Sequence, residues 1–424
     1  MPDYRRKHRS RFKSAPKMNK KRIKSSEISS DIEMTAYDAK PKRQKMRVVK
    51  GKKLEQKRRL GIFAYALSVI IVILAIFQLI IPAGITETLS NTIAVIGAGK
   101  YPVELESANT LNVVSKNGYY YVLSDTKIYA VSNSGKMIYS YAHGFENPVL
   151  KTSSTRALIF DQGGTNALIF NLNGLKSTIN SEKEIINANI GENGNYALVT
   201  PADSYVATVS VYKKNDKLIY EWFSSDDMIN NVALSANGKK IAVSTMSSRV
   251  GNYDSKVSVF GFKSANAEYT KEFQNTIIYE LNSFSNSGFY VVTENNCDFI
   301  SWRGKVITEY KNDYSADMSR QSAAGVVTVF NRENDKTDNR IAVFSNNGKL
   351  KTTVQFKGVI TDIAYKGGSI YCLSDTNVHI LNIQGDILRS ASSGFGAQRI
   401  AVIGQKRVTA VTDNLITEIE LKQE

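Results

Sequence analysis

The sequence predicts an all-β fold, a β-propeller of eight blades, preceded by one transmembrane helix and a disordered basic tail. The supporting observations are an internal repeat, short alternating apolar runs beyond residue 100, and one long uncharged segment. They divide the chain into a tail (1–59), a membrane segment (60–82), a linker (83–100) and the propeller (101–424). Seven blades is the alternative, with the loose stretch around 247–275 as an insertion.

The tail carries the entire net charge of the chain. Residues 1–59 contain 22 Lys and Arg against 6 Asp and Glu, a net of +16, while the remaining 365 residues carry 33 charges of each sign. A segment this polar and charged cannot bury enough apolar surface to offset the entropy lost when it becomes ordered. We therefore expect it to be disordered. Because the rest of the chain is electrically balanced, nucleic acid is not an expected partner of the propeller.

The segment after the tail has the length and composition of a membrane crossing. Residues 60–81 are uncharged, and their polar residues are Ser68 and Gln78. As a helix they would extend about 33 Å at about 1.5 Å per residue, close to a hydrocarbon thickness of about 30 Å. The predicted partner of residues 60–82 is therefore the lipid bilayer. The alternative, a cleaved signal peptide, would have a shorter apolar core and a small-x-small cleavage site.

Basic residues before the segment predict its orientation. Six of them crowd its N-terminal side: Lys50, Lys52, Lys53, Lys57, Arg58 and Arg59. On the other side the first positive charge is Lys100. The positive-inside rule then places the N-terminus in the cytoplasm and the C-terminal domain outside the cell (plasma) membrane. The same six residues would attract anionic lipid head groups, at about 1 kcal/mol each.

An internal repeat is the main evidence for the propeller. Residues 119–145 align without a gap on residues 369–395, with nine of 27 positions identical, including the tetrapeptide Leu-Ser-Asp-Thr. The offset of 250 residues corresponds to six units of about 42, and four strands in about 40 residues make one blade. Turn residues recur at that spacing between short apolar runs, at Gly135, Gly174, Asp216, Asn266, Gly304, Gly348 and Gly385.

The two ends of the domain are predicted to build one blade together. Seven units occupy residues 111–395, and three strands remain, at Arg399–Ile403, Arg407–Thr412 and Leu415–Leu421. A three-stranded blade would leave a bare edge that invites aggregation. The natural fourth strand is Tyr101–Glu106, just before the first unit. Residues 101–106 would therefore close the terminal blade and bring the total to eight.

The four-strand unit with its Gly turn resembles the broad quinoprotein-like and WD40-like propeller superfamily over residues 101–421. The repeats lack the Trp-Asp ending of WD40 proteins, and the tryptophans are Trp222 and Trp302. The Ala-x-Asp and Gly-x-x-x-Trp signature of quinone-binding propellers is absent, so no cofactor is predicted. The order of basic tail, anchor and Tyr/Asn/Ser-rich propeller is similar to a family of Gram-positive, largely clostridial, single-pass membrane proteins. That resemblance implies a location and a fold, with no functional residues.

No motif in the sequence predicts catalysis or metal binding. His143 and His379 lie in different units, and the equivalent positions hold Ser393 and Tyr129, so no zinc site is expected. No Gly-x-Ser-x-Gly elbow marks a nucleophile. The Gly-rich loop at 161–166 lacks the Lys-Ser/Thr of a phosphate-binding loop and is predicted to be a hairpin turn.

Three further features receive structural interpretations. Segment 331–339 has oxygen ligands suited to calcium, but the interleaved Arg332 and Lys336 favour a solvated hairpin tip. The repeated Ser-Asp-Thr is interpreted as a turn in which the Asp side chain bonds backbone amides. Cys297 and Cys372 each lie in a predicted strand, and two buried free thiols are favoured over a disulfide.

These features predict a binding or scaffold module for an envelope protein or cell-wall polysaccharide, without catalysis. Some of the 22 tyrosines at loop tips would form a contact surface, and the sequence does not identify which. One alternative is an envelope glycan-acting hydrolase or lyase with paired carboxylates in the propeller funnel. A second is a sensor whose basic tail binds nucleic acid or lipid.

Overall fold

The computed structural model describes residues 61–69, 71–72, 83–106, 109–249, 251–284 and 286–422. The chain divides into two compact units, residues 1–77 and 78–424. In the first unit, residues 61–69 and 71–72 are helical. The predicted tail and residues 73–82 of the predicted membrane segment lie outside the described residues. Within the described part, no helix combines the length and apolarity needed to cross a membrane.

The described residues of the second unit form one helix, α1 (Ala83–Val95), and 32 strands, of which the first is β1 (Val103–Glu104). The sheets are numbered here as blades 1 to 8. Blade 1 consists of β2 (Thr110–Ser115), β3 (Tyr119–Ser124), β4 (Lys127–Ser132) and β5 (Met137–Ala142). Blade 2 consists of β6 (Pro148–Thr152), β7 (Ala157–Asp161), β8 (Asn166–Asn171) and β9 (Gly174–Asn180). Blade 3 consists of β10 (Asn187–Ile190), β11 (Tyr196–Pro201), β12 (Ala207–Tyr212) and β13 (Leu218–Ser224).

The next three blades continue in the same order. Blade 4 consists of β14 (Met228–Leu234), β15 (Lys240–Arg249), β16 (Asn252–Gly261) and β17 (Tyr269–Phe273). Blade 5 consists of β18 (Glu280–Phe284), β19 (Gly288–Val292), β20 (Asn296–Ser301) and β21 (Val306–Lys311). Blade 6 consists of β22 (Ser315–Ser322), β23 (Gly325–Arg332), β24 (Asp335–Ser345) and β25 (Leu350–Lys357).

The last two blades complete the ring. Blade 7 consists of β26 (Ile360–Lys366), β27 (Ser369–Ser374), β28 (Asn377–Leu381) and β29 (Ile387–Ser392). Blade 8 consists of β30 (Arg399–Val402), β31 (Arg407–Val411), β32 (Leu415–Glu420) and β1. The first strands of six neighbouring pairs of blades contact one another, including β2 with β30. Hydrophobic clusters join blade 1 to blade 2 and blade 5 to blade 6, so the eight sheets form a closed ring. The predicted eight-bladed, all-β propeller is confirmed.

Blade 8 is closed by the N-terminal strand, as predicted. β1 pairs antiparallel with β32, with Val103 opposite Ile416 and Glu104 opposite Leu415. The amide of Leu105 then donates to the carbonyl of Asn414 at 2.8 Å. The strand is shorter than the predicted 101–106, but it supplies the missing edge.

The stretch around 247–275 is part of a normal blade and not an insertion. β15 and β16 are each ten residues long and pair continuously from Lys240 opposite Gly261 to Arg249 opposite Asn252. The partner strands β14 and β17 have seven and five residues. The loose pattern in the sequence therefore reflects a hairpin that extends past the blade, and the seven-bladed alternative is wrong.

The core is distributed between the blades. Among the described residues, eight hydrophobic clusters each span one pair of neighbouring blades. Strand periodicity explains this, because successive side chains point to opposite faces of a sheet. In β3, Tyr119 and Tyr121 pack towards blade 2, whereas Tyr120 and Val122 pack towards blade 8. Each blade is therefore stabilised by both of its neighbours.

The recurring turn residues connect the third and fourth strands of their blades. Gly135 and Asp216 have φ values of 81° and 64°, in the region that tight hairpins require and that Gly and Asp tolerate well. Asn266 lies in a longer loop between β16 and β17. The repeat spacing seen in the sequence is thus the spacing of one particular hairpin, repeated around the ring.

Candidate functional site

The first strands of the blades surround a central channel. Its volume is about 1280 Å³, and residues from all eight first strands line it. Each blade extends outward from this strand, so the first strands together form the wall of the channel. Concave sites of this kind hold ligands in many folds.

Helix α1 lies over one mouth of the channel. Thr88, Asn91, Thr92 and Val95 of the helix are among the residues that line the cavity. Residues 83–100, predicted as a linker, therefore contain a helix that narrows the channel. The face of the ring that carries this helix is called the α1 face below, and the opposite face is called the distal face.

Polar contacts fix α1 onto blades 1 and 2. The side-chain amide of the buried Asn91 donates to the carbonyl of Thr155 at 2.9 Å, and its oxygen accepts from the amide of Leu172 at 3.2 Å. Glu87 forms an ion pair with Arg156, with 2.8 Å between Oε1 and Nε. Both of these charged side chains are largely buried, and a buried pair of this kind helps to fix one geometry.

The C-terminal end of α1 is capped by the side chain of a blade 1 residue. The Lys136 ammonium donates to the carbonyls of Ala94 at 3.1 Å and Ile96 at 2.9 Å. Such a cation satisfies carbonyls that lack helical partners and complements the negative end of the helix dipole. The opposite side of the helix exposes an apolar stripe, Leu89, Ile93 and Ile96. Thus α1 docks through these polar residues together with Ala94 and Val95, which pack against the core between blades 1 and 2, and leaves an apolar stripe exposed.

Most charged groups in the channel are paired within the protein. Arg320 bonds the buried Asp362 carboxylate, with 2.9 Å between Nη2 and Oδ1. The Glu280 carboxylate accepts from the hydroxyl of Tyr290 at 2.9 Å and also from Asn282. These contacts hold the carboxylates in place.

Two lysines in the channel differ from these groups. Lys116 and Lys151 line the cavity from blades 1 and 2. Within the described residues, neither ammonium group has a hydrogen-bond or ion-pair partner. Burial lowers the pKa of Lys116, opposed by the Glu192 carboxylate. Burial also lowers the pKa of Lys151, opposed by Glu280.

The distal face carries a group of exposed aromatic and Met side chains in blades 3 to 5. This distal patch consists of Tyr205, Phe223, Met228, Tyr253 and Tyr279, each between 44% and 60% exposed. All five lie at strand ends or in connections on the distal side of their blades. The rings of Tyr205 and Phe223 contact each other, with centroids 5.1 Å apart. Tyr253 lies near the tip of the extended β15–β16 hairpin.

The two histidines have structural surroundings. His143 is buried, with Nε2 3.1 Å from the carbonyl oxygen of Ser124 and Nδ1 accepting from the amide of Phe145 at 3.0 Å. Nδ1 of His379 lies 2.8 Å from the hydroxyl of Ser390. Across the described ranges, no three His, Cys, Asp or Glu side chains are grouped so as to hold a metal.

The two cysteines are buried free thiols, as predicted. Cys297 lies at the interface of blades 5 and 6, and Cys372 at the interface of blades 6 and 7. Burial raises the pKa of both thiols well above the ordinary value. Because the thiolate is the reactive form, these two cysteines are expected to be inert.

The loops that could suggest ligand sites are hairpins. Residues 161–166 connect the antiparallel strands β7 and β8, as predicted. Segment 331–339 is also a hairpin, with Asn334 at a φ of 64°. Within it, the buried Asp338 accepts from Gln355 at 3.1 Å and pairs with Lys357 at 3.0 Å. These donors lower the pKa of Asp338 to about 2.

The repeated Ser-Asp-Thr is a turn between the second and third strands. The prediction assigned its hydrogen bonds to the Asp side chain. The structure shows the hydroxyl of Ser124 accepting from the amides of Thr126 at 3.3 Å and Lys127 at 2.9 Å. The motif is therefore structural, and its serine caps the turn.

Sequence reasoning did not identify Lys116, Lys151 or the members of the distal patch. A lysine in a predicted strand is typical of a solvent-exposed position. The available signal was positional, because the first strand of each repeat unit must line the channel once the units form a ring. That signal requires knowing which of the four strands is innermost.

The eight four-stranded blades define the protein as a β-propeller. The chain belongs to a family of unknown function, DUF5711, whose model matches residues 100–421. BamB from Moraxella catarrhalis is a similar solved structure, with 12% identity, coverage of 77% of this chain and 100% of that chain, and a TM-score of 0.49. The Cps50 (Swd1) β-propeller domain from Myceliophteria thermophila has 9% identity, coverage of 76% and 100%, and a TM-score of 0.43. No curated protein matches the sequence.

Proposed function

We propose that this protein is a single-pass membrane protein whose extracytoplasmic propeller binds an envelope protein and performs no catalysis. The observation that carries this proposal is the distal patch. Exposed Tyr, Phe and Met side chains are enriched in protein interfaces and supply large contact areas. A wall polysaccharide is the alternative ligand, since sugars also stack on aromatic rings, but the apolar Phe223 and Met228 favour a protein.

The proposed location rests on the membrane segment at 60–82. Its described residues are helical and expose large apolar side chains around the helix: Ile62, Phe63, Tyr65, Leu67, Ile71 and Val72. A helix that is apolar on all sides is suited to lipid or to a large core. The exposed stripe of α1 also fits the interfacial region of a bilayer. These features support a plasma-membrane location, and the Gram-positive, clostridial type belongs to the proposal through the order of basic tail, anchor and propeller.

The basic residues before the segment support a cytoplasmic N-terminus. We infer that the same residues bind anionic lipid head groups: Lys50, Lys52, Lys53, Lys57, Arg58 and Arg59. Their attraction to the inner leaflet falls off within about 10 Å at physiological salt. Nucleic acid is not part of the proposed function.

The topology can be tested with single cysteines in intact cells. We expect a membrane-impermeant maleimide to label Tyr253→Cys and to label Ser14→Cys only after the cells are permeabilised. The native thiols give little background, because Cys297 and Cys372 are buried. Labelling of Ser14→Cys alone in intact cells would reverse the orientation. Release of the protein by alkaline carbonate without detergent would end the membrane assignment.

Binding through the distal patch can be tested by photo-crosslinking in cells. A benzophenone amino acid at Tyr253 should cross-link one envelope protein. The triple substitution Tyr205→Ser, Phe223→Ser and Tyr279→Ser should reduce that product at least tenfold, because each aromatic anchor contributes about 1–2 kcal/mol. Mass spectrometry of the product and quantitative blotting provide the measurement.

A matched control variant distinguishes loss of the distal patch from a general loss of exposed apolar surface. Leu175, Val306 and Leu350 are exposed apolar residues on outer strands, away from the distal patch. Their triple replacement by Ser should leave the cross-link unchanged. Equal loss in both triple variants, or a purified protein that captures no envelope protein yet turns over a glycan, would contradict the proposal.

A further inference from the structure

We propose that the central channel contains a binding site for an anionic ligand, in which Lys116 and Lys151 bind a carboxylate or phosphate group. Lys116 directly follows the first strand of blade 1, Lys151 lies in the first strand of blade 2, and both line the same cavity under α1. This site is separate from the distal patch, and its existence does not depend on the proposed protein partner.

The distribution of charge favours an anion. Lys116, Lys151, Arg320 and Lys366 line the channel, against Glu192, Glu280 and Asp362. Two of these cations already have partners within the protein. Arg320 pairs with Asp362, and the Lys366 ammonium donates to the carbonyl of Val402 at 2.8 Å. Glu280 accepts from Tyr290 and Asn282, and Glu192 is exposed. Among the described channel residues, the two ammonium groups thus form no direct contact with a carboxylate, although Glu192 and Glu280 attract them from a distance.

The energetic state of these lysines gives binding a driving force. Burial disfavours the charged form of an ammonium that has no partner, which lowers its pKa. An anion at the site would restore the missing interaction and raise that pKa again. Binding should therefore take up protons at alkaline pH and weaken as the pH rises through the lowered pKa values of the pair.

The rest of the lining is suited to a polar organic ligand. Asn112, Asn189 and Asn282 give the channel a polar wall, in which Asn189 already accepts from the amide of Leu234 at 3.1 Å and Asn282 donates to Glu280. The volume of about 1280 Å³ exceeds what one phosphate or carboxylate ion needs. We therefore infer a ligand that has an anionic group at the lysines and a polar body along the channel.

Competitive labelling of the full chain in detergent tests this site. Acetic anhydride is applied across pH 7–11 without added anion, with inorganic phosphate, or with malonate, at constant ionic strength set by chloride. Peptide mass spectrometry then gives the labelling curve of each lysine. Lys116 and Lys151 should titrate below the ordinary lysine value of about 10.4, and an effective anion should raise both midpoints and slow labelling at least fivefold. The exposed Lys305 is the internal control and should not respond.

The two anions distinguish the ligand classes. Protection by phosphate alone assigns a phosphorylated ligand, protection by malonate alone assigns a carboxylate, and protection by both supports a general oxyanion site. The variants Lys116→Gln and Lys151→Gln should each weaken the protective anion at least tenfold in calorimetry, with Lys305→Gln as the matched control. If neither anion protects the two lysines more than Lys305, or if the Gln variants bind equally well, the proposal is overturned. The distal-patch triple variant should retain the protection, so this result is independent of the proposed partner.

Discussion

At the scale of single residues, His143 is a neutral imidazole in the folded protein because backbone groups engage both of its nitrogens. Nδ1 accepts from the amide of Phe145 at 3.0 Å, so Nε2 carries the proton and donates to the carbonyl of Ser124. Protonation of Nδ1 would place its N–H against the N–H of Phe145, and two donors would then face each other. Burial lowers the pKa of His143, and the hydrogen bond to Ser124 partly opposes that shift.

The sign of the pH dependence follows from that lowered pKa. The unfolded chain takes up the proton near pH 6.5, before the folded protein does, so stability should fall as the pH drops below about 6.5. Urea unfolding of the full chain in detergent, followed by the fluorescence of Trp222 and Trp302, measures this between pH 7.5 and 5. We expect His143→Gln to be less stable at pH 7.5 and to show a shallower loss on acidification. Parallel curves for wild type and variant would contradict the assignment, and Lys305→Gln should match the wild-type slope.

Individual residues were predictable where one backbone conformation limits the choice of side chain. Gly135 and Asp216 belong to this group, because a positive φ restricts which residues fit. Lys116 and Lys151 do not, because their environment depends on contacts with strands far away in the sequence. The distal patch was unpredictable for the same reason, because Tyr205 and Tyr253 come to lie on one face of the ring only after the blades have formed.

At the scale of elements, the strands were predictable and α1 was not. The strands alternate or carry continuous β-branched and aromatic runs, as Tyr119–Ser124 does with every residue buried. In α1 the usual amphipathic pattern is weakened, because Glu87 and Asn91 dock beside Ala94 and Val95 while an apolar stripe is exposed. Hydrophobic periodicity in the sequence cannot identify a helix that docks largely through a buried asparagine side chain and an ion pair.

At the scale of the whole molecule, the repeat offset of 250 residues, together with the strands left over at the two ends of the domain, predicted eight blades, with seven as the alternative. Once the repeat unit is known, the number of blades is the quantity that remains to be determined. The strands left over at the two ends of the domain then show how the ring closes. The structure adds what repetition cannot show, namely a helix over one mouth of the channel and an extended hairpin on blade 4. These two departures from the repeat lie beside the two proposed binding surfaces. There the side chains differ from those at equivalent positions of the other blades.

Closure by β1 makes the ring a single cooperative structure, and this leads to a stability prediction. Val103 and Leu105 are buried against blade 8 and blade 1, and the strand pairs with residues more than 300 positions away. Replacing both by Ala should cost about 3–6 kcal/mol, because each truncation removes buried apolar surface and leaves a cavity. The exposed Glu104→Ala in the same strand should cost little. Urea unfolding of the full chain in detergent measures the difference.

Hydrogen exchange distinguishes ring opening from a uniform loss of stability. In the double variant, exchange should rise most in β30–β32 and in β2, the strands on either side of the closure, and least in blade 4 on the far side of the ring. The reason is that an unpaired β32 exposes backbone groups that only β1 covers, so local opening begins there. Equal acceleration in all blades would mean that the ring is not sealed at blade 8. An unchanged unfolding free energy would mean that β1 contributes nothing to closure.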